Sequence, residues 1–492
     1  MDEHRRKAKW RAAVAGRVQT RISPFCHAMG RLQVVVTLLV AAAVENALSD
    51  EYFLRSVYPT WLPARAQGEP GDRLILTQYM ERDMLDEGRE RARVEGYPFS
   101  DDIPSYAGFF TVNKEFNSNL FFWFFPAEEN YREKPVILWL QGGPGASSLF
   151  GLFTEIGPFT LAEDNITLVP NPHSWHRNHS LIFIDNPVGT GFSFTDYEEG
   201  YATNMTQVGD ELYKALVQFF EVFPELQRLP FFIAGESFAG KYIPALAYTI
   251  HKRNPKADVQ INLQGIAVGN GFTDPVHFLD VSEFVYQLGL VDGRLRDAMR
   301  ITAQRAAAAI EDGNLTQAYL DWAHTLALFG INARYSRLYN FMLTHERQVG
   351  GNYSDFVQRC DVRRALHVGD TEYTSIGHVY IKMIPDFMST VKPWLEELLE
   401  NYQVLYYSGQ LDLIVAYPMS VRMFDTLKFS SSNYYRLAPR RPWYVGEDLA
   451  GYIKTAGNFS EVLVRNAGHM VPTDQPEWAY DLISRFVSGR LR

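Results

Sequence analysis

Gly-Glu-Ser-Phe-Ala-Gly, from Gly235 to Gly240, is the stretch that most limits what this 492-residue chain can fold into. An apolar run ending at Ala234 precedes it and reads as a buried strand, and a helix-favouring stretch from Ala239 to His251 follows. Gly-x-Ser-x-Gly set between a strand and a helix makes a sharp turn that exposes a serine hydroxyl, a nucleophile elbow. The flanking glycines are needed because strand and helix crowd together there. The pattern alone recurs by chance in chains of this length. Its placement, and the partners found downstream, give it meaning.

Short apolar runs recur at 120–125, 136–140, 181–184, 231–234, 263–268, 404–407 and 462–464, with amphipathic stretches such as 205–223 and 389–399 between several of them. This alternation predicts an α/β protein with a mostly parallel central sheet flanked by helices. From about 276 to 359 the strand signals lapse and Ala-rich, helix-favouring sequence takes over. That stretch reads as a helical cap inserted between two parts of the core, 101–275 and 360–492. A cap over the C-terminal edge of such a sheet shapes the pocket where the strand ends open into loops. Residues 48–100, charged and irregular with one helix candidate over 76–94, read as a leader or prosegment.

Ser237 needs a base and a group to orient that base. Asp412 follows the run 404–407 within Ser-Gly-Gln-Leu-Asp-Leu-Ile, and His469 follows 462–464 within Asn-Ala-Gly-His-Met-Val-Pro. Both come just after a strand, at the edge where Ser237 lies. The chain order Ser, Asp, His is that of the α/β-hydrolase fold. Taken singly, Asp412 is a loop carboxylate and His469 a packing histidine; as a set they are a base and its orienter. The loop Trp-Leu-Gln-Gly-Gly-Pro-Gly-Ala-Ser-Ser from Trp139 lets backbone approach a substrate closely, and the amides of Gly143 and Phe238 are the expected oxyanion donors.

With these residues in place the chain resembles the serine carboxypeptidases. The resemblance rests on the glycine loop, Ile-Asp-Asn-Pro-Val-Gly-Thr-Gly-Phe-Ser from Ile184, the elbow, Gly-Asn-Gly-Phe-Thr-Asp-Pro from Gly269, Cys-Asp-Val-Arg-Arg-Ala-Leu-His-Val-Gly from Cys360, and Asn-Ala-Gly-His-Met-Val-Pro. It runs from about Tyr106 to the C-terminus and is nearest to the vitellogenic-like branch. It implies removal of single C-terminal residues from peptides, with peptide or protein C-termini as partners. It also implies that Trp139, Gln141, Gly142, Glu155 and Glu236 bind the terminal carboxylate. Two glutamates beside a substrate carboxylate cannot all be charged, so at least one must keep a proton. That predicts an acidic optimum, at roughly pH 4.5–6. Acyl transfer or ester hydrolysis on the same fold, and a catalytically silent secreted homologue, are the alternatives.

Composition bounds the rest. The chain is 46% hydrophobic and carries a net charge of −10. Its first 31 residues hold eight Lys or Arg against two Asp or Glu, so the remainder is more acidic still and a nucleic-acid partner is not expected. The apolar run 32–44, after basic residues and with Ala41-Ala42-Ala43 near its end, has the plan of a secretory signal and is short for a membrane span. Residues 1–47 are therefore assigned to an N-terminal extension and signal peptide, a short membrane anchor being the other reading. Sequons at Asn165, Asn178, Asn204, Asn314, Asn352 and Asn458 fit the secretory pathway, with secretion or a lysosomal or endosomal destination. Of two cysteines, Cys26 lies ahead of the apolar run, and Cys360 reads as a buried apolar residue or else a free thiol. No His-x-x-x-His or His-Glu-x-x-His spacing and no nucleotide fingerprint occurs, so neither metal nor cofactor is expected.

Overall fold

The computed structural model describes residues 68–491 apart from 97, 100, 101, 335–337, 344–351 and 375. The signal-peptide reading, Cys26 and the start of the leader lie outside the described residues. The strands in chain order are β1 (Tyr106–Asn113), β2 (Ser118–Phe125), β3 (Val136–Leu140), β4 (Phe159–Leu161), β5 (Leu168–Pro170), β6 (Ser180–Ile184), β7 (Phe231–Glu236), β8 (Leu263–Gly269), β9 (Gln403–Gly409), β10 (Arg441–Val445), β11 (Asp448–Ala456) and β12 (Phe459–Val464). Ten of them form one sheet in the order β1-β2-β6-β3-β7-β8-β9-β12-β11-β10, and β4 and β5 pair separately. From β6 to β12 every neighbouring pair is parallel, and the antiparallel pairs lie at the two ends.

The central strands read as unbroken apolar runs because helices cover both faces, so neither row of side chains meets water. All of Val-Ile-Leu-Trp-Leu in β3 and all of Phe-Phe-Ile-Ala-Gly-Glu in β7 is buried. Each of the seven apolar runs seen in the sequence falls within one of these strands.

Between β8 and β9 the chain forms α1 (Gly293–Glu311) and α2 (Leu315–Ala333), which pack on one another, and then α3 (Gly377–Phe387), which packs on α2. Thr302 and Thr325 join α1 to α2 by a hydroxyl–hydroxyl hydrogen bond of 2.7 Å. Aromatic rings carry this layer down to the elbow: Trp322 of α2 lies 5.5 Å from Phe387, and Phe387 lies 4.8 Å from Phe238. Lys241, wholly buried, donates to the Asp386 carbonyl at 2.6 Å and the Phe387 carbonyl at 3.1 Å. A cation on the last carbonyls of a helix is favoured by the helix dipole, so Lys241 fastens the end of α3 to the helix that follows Ser237.

The structure corrects two expectations, the single helix over 76–94 and the burial of Cys360. The charged stretch read as a leader packs, over its described residues, against the core. Its single helix candidate is two short helices, Leu76–Met80 and Leu85–Arg91, separated near Asp83, whose φ is +57°. Leu74, Leu76, Ala92 and Val94 are buried, and Phe109 N donates to the Leu74 carbonyl at 3.0 Å. Charge dominates the composition there and hides these few apolar anchors. Cys360 is a thiol in no disulfide among the described residues, half-buried rather than buried, with its Sγ 3.3 Å from the Gly68 carbonyl.

Candidate active site

Ser237 follows β7 directly and precedes the helix Ala239–Arg253. Its φ is +63°, a left-handed conformation that an L-residue adopts only under constraint. The constraint is visible. Ser237 N donates to the Gly269 carbonyl at 3.0 Å, and its own carbonyl accepts from Gly240 N and Phe272 N, both at 2.9 Å. A Cβ at Gly240 would sit 2.6 Å from Phe272 N, so the helix comes this close to the β8 loop only with glycine there.

Asp412 and His469 leave the ends of β9 and β12, which are parallel neighbours, so both loops open at the same sheet edge. His469 Nδ1 faces Asp412 Oδ2 at 2.7 Å, and both side chains are fully buried. Asp412 Oδ2 also accepts from Asn270 Nδ2 at 2.7 Å, while Oδ1 accepts from the backbone amides of Ile414 at 2.8 Å and Val415 at 3.3 Å. These bonds leave the carboxylate little freedom to turn. Burial works against the charged imidazole, but the Asp412 carboxylate, reinforced by Glu236, outweighs it and holds the His469 pKa above its ordinary value. His469 Nε2 is buried and, among the described residues, has no hydrogen-bond partner. One imidazole nitrogen is thus anchored and the other unengaged, the arrangement in which a histidine can accept a proton.

The glycine loop lies against the elbow. A Cβ at Gly142 would stand 2.7 Å from both Phe238 N and the Ser237 Cβ, so only glycine permits this approach. Gly143 takes φ +109°. The loop is tied down at Ser148, whose Oγ accepts from Gln141 N at 3.2 Å and donates to the Ile184 carbonyl at 2.6 Å. Among the described residues neither Gly143 N nor Phe238 N is matched to a backbone acceptor.

Beside the elbow lies a buried row of polar side chains. Trp139 Nε1 donates to Gln141 Oε1 at 2.9 Å, and Gln141 Nε2 donates to Glu236 Oε1 at 2.7 Å. Glu155 sits on a π-helical turn, Leu152–Ile156, a local widening that recurs at functional sites. Both Glu155 oxygens and Glu236 Oε2 lack a partner at hydrogen-bonding geometry among the described residues. Burial pushes the Glu155 pKa up to about 8, against the pull of Glu236 and Gln141, with Asp474 adding to the rise. Glu236 is raised well above its ordinary value by burial and then by the charge of Glu155. The pair therefore keeps a proton where an ordinary glutamate has lost one.

A family model for serine carboxypeptidases matches residues 96–489. The chain belongs to the serine carboxypeptidase family. This carboxypeptidase is 45% identical over 444 residues to a venom serine carboxypeptidase of Apis mellifera, covering 88% of this chain and 94% of that one. It is 44% identical to a vitellogenic carboxypeptidase of Aedes aegypti, covering 86% and 91%. It is 40% identical to the probable serine carboxypeptidase CPVL of Homo sapiens, covering 94% and 98%. Among solved structures, a prohormone-processing carboxypeptidase of Saccharomyces cerevisiae superimposes with a TM-score of 0.70 at 24% identity, covering 82% of this chain and 96% of that one. The fold is that of an α/β-hydrolase, and the protein is a hydrolase of the exopeptidase kind.

All the residues singled out in the sequence for chemistry lie at one end of the carboxypeptidase sheet. Trp139 enters differently from the others: it is fully buried with its indole N–H spent on Gln141, so it reaches the site through that side chain. Sequence reading passed over Asn270, which sits at φ +42° in the Gly-Asn-Gly-Phe-Thr-Asp-Pro stretch and grips Asp412. It also passed over Asp474, whose Oδ2 accepts from Gly468 N at 2.7 Å just before His469. The first was discoverable, since an asparagine between glycines suits a left-handed turn. The second carries no local signal. Among the described residues no group of His, Cys, Asp or Glu is placed to hold a metal, and no helix is long and apolar enough to cross a membrane.

Proposed function

We propose that this carboxypeptidase works through Ser237 as nucleophile, His469 as general base and acid, and Asp412 as the group that orients His469. The observation that carries the reading is the adjacency of Glu236 and Ser237 at the end of β7. A peptide's terminal carboxylate and its last scissile carbonyl are one residue apart. The Glu236 carboxyl, held toward its protonated form by burial and hydrogen-bonded to Gln141, belongs to the residue just before the nucleophile.

In this reading Ser237 Oγ attacks the last peptide carbonyl as its proton passes to His469 Nε2. The oxyanion is met by the amides of Gly143 and Phe238. Collapse expels the C-terminal residue as its amine takes the proton from Nε2, leaving an acyl-enzyme. Water then repeats the sequence: His469 takes its proton, and Ser237 recovers one on release. Asp412 stays ionised and stabilises the imidazolium. The terminal carboxylate is held by the Gly142 amide, by Gln141 oriented through Trp139, and by the protonated member of the Glu155–Glu236 pair.

The acidic optimum follows from the same groups. A protonated pair supplies a donor to the substrate. It also removes a negative charge that would hold a proton on His469, which must be neutral to act as base. For localisation we assign the secretory pathway, on the apolar run 32–44 and the sequons, with glycans on the exposed Asn165, Asn178, Asn204 and Asn314. A relative named for venom is consistent with that route.

An organophosphonate probe tests the nucleophile and base together. Labelling at Ser237, lost in Ser237→Ala and slowed by orders of magnitude in His469→Ala, is the expected result. Undiminished labelling of Ser237→Ala contradicts it.

A further inference from the structure

Residues 338–341 fall inside the stretch assigned to the cap, yet their hydrogen bonds run to the catalytic loops. Leu413 N donates to the Leu338 carbonyl at 2.8 Å, and Phe341 N donates to the Leu411 carbonyl at 3.0 Å, so one short segment is paired on both sides of Asp412. Between these two contacts, His469 N donates to the Tyr339 carbonyl at 2.6 Å. The Tyr339 ring stands at 77° to the imidazole with centroids 4.7 Å apart. Asn340 Nδ2 donates to Asp474 Oδ2 at 2.8 Å, the oxygen that also accepts from Gly468 N at 2.7 Å. Leu338 and Asn340 are buried.

The bonds fall into a pattern. The Asp412 loop is gripped before and after the carboxylate, and the His469 loop is gripped at the histidine itself and at the residue before it. The two loops touch directly through Leu411 N and the Ala467 carbonyl, at 2.8 Å. A second direct bond, from Gln410 N to the Val464 carbonyl at 2.9 Å, lies where the loops leave the paired strands β9 and β12, and beyond it 338–341 bonds to both loops. An imidazole must be held to a fraction of an ångström and within about 10–20° to pass a proton efficiently. Its bond to Asp412 fixes Nδ1 but still allows the ring to swing about that contact. A ring packed edgewise on the imidazole, with its own carbonyl on the histidine backbone, removes that freedom.

We propose that residues 338–341 are a strap belonging to the catalytic base, and that Tyr339 and Asn340 are positioning residues. Tyr339 keeps His469 Nε2 turned toward Ser237, by its carbonyl and by its ring. Asn340, through Asp474, holds the backbone from which His469 projects. The proposal rests on the assignment of Ser237, Asp412 and His469 given above. It separates this segment from α1 and α2, which the sequence reads as a cap: loss of a strap contact lowers turnover on every substrate, whereas loss of a pocket contact changes substrate binding.

The test is steady-state hydrolysis of an ester and of a free-acid peptide by the full chain carrying Asn340→Ala, Tyr339→Leu or Tyr339→Phe. His469→Ala is run alongside, and folding of each variant is checked by thermal melting. Asn340→Ala and Tyr339→Leu should lower kcat by about ten- to a hundredfold on both substrates, with KM within about twofold of the parent. Phosphonate labelling should slow by the same factor. Tyr339→Phe, which keeps ring and carbonyl, should recover most of the turnover that Tyr339→Leu loses. Unchanged kcat in Asn340→Ala overturns the proposal, as does a rise in peptide KM with ester kcat intact, which would make the segment a pocket wall. If Tyr339→Leu does not fold, Asn340→Ala decides the matter alone. Full activity in His469→Ala would instead sink the base assignment on which the strap depends.

Discussion

Asn270 and Asp412, 142 residues apart in the chain, meet through a 2.7 Å bond to the same carboxylate oxygen that faces His469. Asn270 is itself held by Gly409 N, which donates to its Oδ1 at 3.1 Å. The carboxylate is thus aimed by a side chain that is aimed in turn. Replacing Asn270 by Ala should lower kcat by about ten- to a hundredfold on peptides and esters alike while leaving KM near its parent value. Rates measured on both substrate classes check this, and an effect confined to peptides would contradict it.

Gly142 should tolerate no side chain. An alanine methyl there meets Phe238 N and the Ser237 Cβ at 2.7 Å, and relief requires the glycine loop to lift from the elbow. The oxyanion donors would then separate. We expect Gly142→Ala to lose about 10²–10³ in kcat on an activated ester, the cost of one misplaced oxyanion donor. A loss below threefold would show that the loop does not serve the oxyanion.

Glu155 and Glu236 should set the pH dependence of peptide binding. With Glu155 pushed up to about 8, the pair keeps a proton through the acid range and gives it up as neutrality is passed. The KM of free-acid peptides should therefore be lowest in acid and climb between about pH 6 and 8.5. Esters with no free carboxylate should show no such climb, and their optimum should lie higher. Glu236→Gln should flatten the peptide profile and leave ester turnover largely intact. A peptide KM that is level across that range would reduce both glutamates to structural groups.

Stability should fall with rising pH for the same reason. Glu155 and Glu236 have folded-state pKa values above those of an unfolded glutamate, and burial likewise holds Asp185 at about 7. Between about pH 4.5 and 8 the unfolded chain ionises these carboxyls while the folded chain keeps their protons, so folding is progressively penalised as pH rises. The raised His469 pKa acts in the same direction, its contribution being lost as pH climbs through the folded value. The buried His176 and His179, whose pKa values burial lowers, act the other way in acid, so the carboxyl effect stands alone only above about pH 6.5: there Tm should decline toward pH 8, and Glu155→Gln should shrink the decline. A Tm that rises from pH 6.5 to 8 would contradict these buried protonation states.

Much of this was legible before the structure, because the signals are local. An apolar run long enough for a strand remains one wherever the chain places it, and the elbow carries its own turn in six residues. The strands that escaped notice include β10 and β11 at the sheet edge, where the pattern is broken by exposed polar residues and by Pro442, tolerable only on an edge. The site divides similarly. Ser237, Asp412 and His469 each follow a strand and declare themselves by order. Asn270, Asp474 and Tyr339 matter through partners far away in the chain, and no spacing rule announces them. Trp139 was legible as a site residue, but its contact with Gln141 depends on rotamers that only packing decides.

The central claim is that this carboxypeptidase uses Ser237 to remove one residue at a time from a free C-terminus. Incubation of a mixed peptide set with the purified chain at about pH 5, read by mass spectrometry, tests it directly. Each peptide should shorten stepwise from its C-terminus. Copies ending in an amide should be spared by the equivalent of more than about 2 kcal/mol, since the carboxylate donors would be left badly paired. Ser237→Ala should do nothing. Internal cuts, equal trimming of amidated and free peptides, or trimming by Ser237→Ala would each contradict the account.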